Sequence, residues 1–179
     1  AKYKNVDFNP SAFFLQTLLE IHSLSLIFNI GLISEAGMPC IADPGAYIVK
    51  LAHERDIPVI PLAGGSSIIM ALIASGMNGQ NFAFHGYLPL DKNERIKKIR
   101  ELEKNAEFFG QTQIFMETPY RNNQIMGILI KTLKSTTYLA VATDISDIDN
   151  EFISTKQISE WAVKLPDLHK RPTIFLISK

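Results

Sequence analysis

The sequence predicts an α/β protein built from two α/β domains, and three observations point to that class. Leu26 to Ile33 is a nearly continuous apolar run that breaks off in Ser34, Glu35, Gly37 and Pro39, as a strand buried on both faces does where the chain leaves a sheet and turns. A helical pattern and a second apolar run, Ile57 to Leu62, follow it. The resulting β-α-β order implies a right-handed crossover between parallel strands. The second half then alternates short strand and helix patterns.

Taken in order, Asn9-Pro10-Ser11 opens a helix that packs through Phe13, Phe14, Leu18 and Ile21. After the first strand, Gly37 supplies a conformation closed to other residues and Pro39 fixes the next step. Asp43-Pro44-Gly45 starts a helix with Asp43 as its N-cap, and Tyr47, Ile48, Leu51 and Ala52 form its apolar face. Two prolines in the strand Ile57 to Leu62 argue against a central place at every residue. Ala63-Gly-Gly-Ser-Ser67 leads into a helix, Ile68 to Ser75, capped by Ser66 and ended by Gly76.

Phe82 to Pro89 reads as a linker between layers, which sets a domain boundary near Tyr87 and divides the chain into 1–87 and 88–179. Beyond it, Asp91 to Glu107 is a surface helix with Ile96, Ile99 and Leu102 as a narrow apolar stripe. Strands are expected at Thr112 to Glu117, Thr137 to Ala142, Glu151 to Gln157 and Thr173 to Ile177, and helices at Pro119 to Leu133 and Ile158 to Leu165. The acidic loop Asp144 to Asp149 separates two of these strands.

The 179 residues suffice for one large or two small cores without a metal or disulfide staple. Eighteen basic residues balance eighteen acidic ones, so no whole-molecule field draws in nucleic acid, and any RNA contact is local. No apolar run approaches the ~20 residues of a membrane span. The single cysteine, Cys40, fits a reducing compartment, and a cytoplasmic location is expected.

The loops at residues 34–45 and 63–67 are either tight βα connections or the walls of one ligand pocket at the carboxyl edge of a sheet. Neither matches a Walker loop or the GxGxxG fingerprint. Glu117 and Arg121 lie at the end of another strand, where charged groups pair locally, cap the helix or face a ligand. The four histidines are scattered, so no zinc or iron site is expected, and no serine sits in a G-x-S-x-G elbow. The basic residues Lys92, Arg95, Lys97, Lys98 and Arg100 are a solvated face or reach phosphates.

Several ordered segments resemble one family. Leu32-Ile-Ser-Glu-Ala-Gly-Met-Pro-Cys-Ile-Ala-Asp-Pro-Gly45 is similar to the VSDAGTPxISDPG segment of the bacterial small-subunit ribosomal RNA (cytidine-2′-O)-methyltransferases, within the tetrapyrrole methylase superfamily. In register with it, Pro61 to Ser67 resembles PLPGPSA, Phe84 to Pro89 resembles FxGFLP, and Ile114 to Arg121 resembles IFYESPHR. Glu151-Phe152 matches a late EEF pair. The likeness runs from about Gly31 to the C-terminus. The family's first strand and TPIGNL loop are not matched, so a partial N-terminal domain is expected.

The resemblance implies S-adenosylmethionine in a cleft between the two domains, a homodimer, and methyl transfer to a ribose hydroxyl of small-subunit ribosomal RNA. Carried over by position, Ala36, Gly37, Met38, Ser66, Ser67, Glu117 and Ala142 match segments that line the cofactor. Arg95 and Arg121 are candidates for holding phosphate, and Glu117 is the candidate base. The family's ARELTK stretch stands here as Ala142-Thr-Asp-Ile-Ser-Asp147, with acidic residues where basic ones are expected. Two other readings follow: methylation of a tetrapyrrole, and a non-catalytic binding or assembly protein that keeps the fold.

Overall fold

The computed structural model describes residues 31–34 and 37–179, which divide into two compact units at Gly64/Gly65. The expected helix from Asn9, strand residues Leu26 to Ile30, and Glu35 and Ala36 lie outside the described residues.

In the first unit, helix α1 (Ala46–Glu54) starts later than the Asp43-Pro44 signal suggested. Its N-cap is Gly45, at φ 134°, and no side chain caps it. Asp43 and Pro44 fall in the preceding turn. Leu51 is its buried anchor. The expected strand at Ile57 to Leu62 does not form: the segment pairs with no strand among the described residues, and Ile60 and Leu62 are exposed. Pro58 and Pro61 remove two of its six ladder donors, which accounts for the difference.

The second unit is a five-stranded mixed sheet between helices. Helix α2 (Ser67–Ser75) is followed by β1 (Phe82–Tyr87), α3 (Lys92–Phe109) and β2 (Thr112–Met116). A 3₁₀ turn (Pro119–Arg121) leads into α4 (Asn122–Thr132), then come β3 (Tyr138–Thr143), β4 (Phe152–Gln157), α5 (Ile158–Trp161) and β5 (Thr173–Ser178). The spatial order is β1-β2-β5-β3-β4. Only β1 and β2 run parallel, and every other pairing is antiparallel.

Strand alternation assigns the two faces. Phe115, Leu139, Val141, Phe175 and Ile177 point toward Ile99, Leu102, Ile125 and Leu129 of α3 and α4, forming the larger core. Ile114, Ala140, Ala142, Ile174 and Leu176 point the other way, onto Ile68, Ala71 and Leu72 of α2. Phe115 and Phe175 stack with ring centroids 5.7 Å apart. Trp161 is buried and donates its indole N–H to the Leu139 carbonyl at 2.9 Å, which satisfies its one polar atom.

Phe82 to Tyr87 corrects the linker expectation. It is an edge strand paired with β2, with a register shift between Phe84 and Tyr87 that includes Gly86 at φ 64°. Both of its end residues are exposed and none is buried, so its apolar signal is diluted. β1 thus lies within the sheet of the second compact unit. Helix α5 is also shorter than expected, ending at Trp161 where the expectation ran to Leu165.

Helix termini follow local chemistry. Asp91 caps α3 by accepting from the amides of Asn93 and Glu94 at 2.9 and 3.0 Å, and these bonds, that of Glu94 foremost, lower its pKa. Gly76 and Gly110 end α2 and α3 at φ 70° and 58°. Buried Glu103 on α3 accepts from the Lys134 amide at 2.7 Å and the Thr137 hydroxyl at 2.5 Å, tying the α4–β3 connection to the neighbouring helix. Near the surface, Glu107 takes hydrogen bonds from Lys134 and Lys179, in that order of effect, and its pKa falls to about 2.

Two outcomes follow. Glu103→Ala strands a buried amide and hydroxyl, and urea unfolding should show a loss of about 1–3 kcal/mol. Glu107 has a folded pKa below its ordinary 4.5, so its contribution is full above that value and disappears as the pH falls through about 2. Unfolding followed across this window should show stability declining toward acid, and Glu107→Gln should flatten the decline.

Candidate functional site

The first candidate element is the loop from Gly37 to Gly45. Gly37, Cys40, Ala42 and Gly45 all have left-handed backbones, at φ 73°, 69°, 57° and 134°. For Cys40 and Ala42 this costs about 1–2 kcal/mol each, the kind of strain that concentrates at ligand-binding loops. A Cβ on Gly45 would stand 2.8 Å from Leu32 Cδ2 and 3.1 Å from Cys40 Sγ, so the turn closes tightly there. Gly37 has open space around it and is constrained by conformation alone. Met38 follows, half-buried, and its carbonyl accepts from the Ile41 amide.

The second element is the start of α2. Ser66 holds the N-cap position in extended backbone, as its sequence context implies, but its side chain makes no capping bond. It is nevertheless buried, while Ser67 is exposed. A helix N-terminus with uncapped amides and an unengaged hydroxyl favours negative or hydrogen-bond-accepting groups. On the sheet beneath, Ala142 packs in the same cluster as Ile68, Ala71 and Leu72. The structure therefore places Ala142 under the helix that begins at Ser67.

The third element is the β2–α4 junction. The Glu117 side chain is 1% exposed: Oε1 accepts from the Thr118 amide at 2.9 Å, and Oε2 lies 3.2 Å from Arg121 Nη2. That approach lacks hydrogen-bond alignment, leaving Oε2 among the buried unpartnered acceptors. The other is Oδ1 of Asn122, whose Nδ2 donates to the Arg171 carbonyl at 2.6 Å. Local pairing was one of the sequence readings of Glu117 and Arg121, and the two side chains lie in ion-pair distance of each other.

Arg95 needs correction. It is buried, and its Nε and Nη2 donate to the carbonyls of Pro89 and Leu90, at 2.8 Å for the first. Its guanidinium secures the β1–α3 connection and is not free for phosphate. The sequence also missed Asn123 and Arg171, whose partners lie up to 45 residues away, beyond any local pattern. Asn123 accepts from the Leu168 amide and donates to Asp167, and Arg171 pairs with Asp144 at 2.6 Å. The bond from Asn123 is the main reason that the Asp167 pKa is lowered.

Among the described residues no group of three or more His, Cys, Asp or Glu could hold a metal ion, and no helix is long and apolar enough to cross a membrane.

The elements define a mixed α/β protein. The crystal structure of the methyltransferase CobJ superposes with a TM-score of 0.58 over 92% of this chain and 71% of that one, at 12% identity. Curated proteins named ribosomal RNA small subunit methyltransferase I are similar in sequence. That of Bacillus subtilis is 37% identical over 136 residues, 75% of this chain and 45% of the relative. Those of Pasteurella multocida and Haemophilus influenzae are 29% and 30% identical over 151 residues, 83% of this chain and 52% of each relative. The chain thus spans about half the length of the curated relatives it matches. No protein-family model matches it.

Replacing Arg121 by Met leaves the Glu117 carboxylate buried without its counter-charge. Breaking a fully buried pair costs about 3–5 kcal/mol, and with Arg121 24% exposed a loss of about 2 kcal/mol is expected in chemical unfolding. Adding Glu117→Gln to that variant should recover part of the loss.

Proposed function

We propose that this chain is part of an S-adenosylmethionine-dependent methyltransferase acting on a ribose hydroxyl of small-subunit ribosomal RNA. The observation that carries this reading is the similarity to relatives named ribosomal RNA small subunit methyltransferase I, in Bacillus subtilis 37% identical across three quarters of the chain. The CobJ likeness supports the fold.

The residues suit the cofactor. The Gly37 to Gly45 loop holds Cys40 and Ala42 in left-handed conformations, strain that a ligand would justify. Ser66 and Ser67 start α2 with amides that no side chain caps. The candidates for holding the cofactor are Ala36, Gly37 and Met38 of the first unit by their likeness to family segments, and Ser66, Ser67 and Ala142 of the second, where Ala142 packs against α2. Bound there, the cofactor supplies a sulfonium-activated methyl group.

What the protein contributes is alignment and the exclusion of water, and positioning alone supplies several kcal/mol, roughly 7 or more in the best cases. Glu117 and Arg121 act as a paired unit that fixes the turn after β2, with the partly exposed Arg121 the better placed to meet a phosphate. The chain works as a homodimer in the cytoplasm on this reading.

Calorimetry should show saturable S-adenosylmethionine binding, and labelled methyl should pass to small-subunit RNA and not to a tetrapyrrole acceptor. No binding at millimolar cofactor would defeat the enzymatic reading. Gly37→Val, which forces a β-branched residue into a left-handed conformation, should weaken cofactor binding at least about tenfold while leaving the circular dichroism spectrum unchanged.

A further inference from the structure

Tyr120, in the 3₁₀ turn before α4, is an aromatic residue left 71% exposed in a position that the surrounding chain takes trouble to define. The edge of His169 meets its ring with centroids 6.2 Å apart and planes at 76°, and Lys170 Nζ sits 5.9 Å from the ring centroid. Both neighbours come from the loop before β5, roughly fifty residues downstream. That loop is locked onto the 3₁₀ turn and α4. The Lys170 amide donates to the Pro119 carbonyl at 3.1 Å, the Leu168 amide to Asn123 Oδ1 at 2.8 Å, and Asn122 Nδ2 to the Arg171 carbonyl at 2.6 Å. Leu168 is fully buried and pins the segment from below.

The arrangement carries a backbone cost. Lys170 has φ 61°, a left-handed conformation rare for a long side chain, and it is this conformation that sets its amide on Pro119 and its ammonium over the ring. The one carboxylate of the loop, Asp167, is engaged by Asn123 Nδ2 at 2.8 Å and the His169 amide at 3.0 Å. Arg171 is likewise engaged, by Asp144. What faces outward is therefore a flat ring flanked by an imidazole and an ammonium, held by hydrogen bonds instead of chance side-chain packing.

An exposed ring beside a cation is the chemistry of single-stranded nucleic acid binding: a base stacks on the aromatic face while the cation meets the adjoining phosphate. We propose that Tyr120, His169 and Lys170 form a stacking platform for an unpaired RNA base, with Lys170 moving from the ring to a neighbouring phosphate when the base arrives. The proposal rests on the ribosomal RNA reading given above and adds where the strand lies and in what form: single-stranded, on the surface that opens at the β2–α4 turn.

The test is fluorescence anisotropy of a labelled 12-nucleotide single-stranded RNA of mixed sequence against the full chain, with S-adenosylmethionine calorimetry as the control. Tyr120→Ala should weaken RNA binding roughly 5- to 150-fold, the range found for removal of one stacked base. Tyr120→Phe, which keeps the ring, should restore affinity to within about twofold of the unsubstituted chain. Lys170→Ala should weaken binding and lower the salt slope by about one ion. The same sequence as a duplex should bind more weakly and respond little to Tyr120→Ala. RNA affinity unchanged by Tyr120→Ala, with S-adenosylmethionine binding intact, overturns the platform and leaves the ribosomal RNA reading standing. An unsubstituted chain that binds cofactor but no RNA overturns both.

Discussion

Insertion of the last strand into the middle of the sheet is the constraint on which the second unit depends. β5 lies between β2 and β3 and is hydrogen-bonded antiparallel to both, with five of its six residues buried. Phe175 and Ile177 complete the core under α3 and α4, while Ile174 and Leu176 complete the one under α2. Without it, β1-β2 and β3-β4 would be two separate ribbons with open edges, and neither face would be continuous. Pairings across some sixty residues of chain are costly in loop-closure entropy, so the two-sided burial of this strand must outweigh that cost.

The polar groups that are buried serve this architecture. Glu103 joins α3 to the α4–β3 connection, Trp161 ties α5 to the β3 backbone, and Arg95 holds the turn after β1. At the carboxyl end of β2, Asn122 and Asn123 bind the segment that feeds β5. The same end of the sheet holds the Thr143 and Thr173 hydroxyls, 2.5 Å apart, and the Asp144–Arg171 pair. This network ties the β2–α4 turn, which carries the exposed Tyr120, to the segment that leads into β5.

The candidate ligand loops differ in kind from that network. The Gly37 to Gly45 loop holds two non-glycine residues in left-handed conformations, and Ser66 leaves the N-terminus of α2 uncapped. Both features cost stability locally, in contrast to Asp91, which caps α3 with two bonds. Strain and unspent hydrogen-bonding capacity in these loops fit the proposed methyl transfer, in which alignment of the reactants is the main demand.

The sequence by itself determined most elements of the second unit, since period-two and period-3.6 patterns and the stop at Gly76 are local properties. It also carried the motif likeness described above. Missing from it were β1, whose residues are at most half-buried at an edge, and the lack of a strand partner for Ile57 to Leu62 among the described residues. Tertiary structure alone decided strand order and direction, because pairing partners are not written in local periodicity. It decided too that Arg95 is spent on carbonyls and Glu117 on Arg121, and that His169 and Lys170 flank Tyr120. A charged side chain reads the same in sequence whether it faces solvent or its own backbone, and only folding brings its partner within reach.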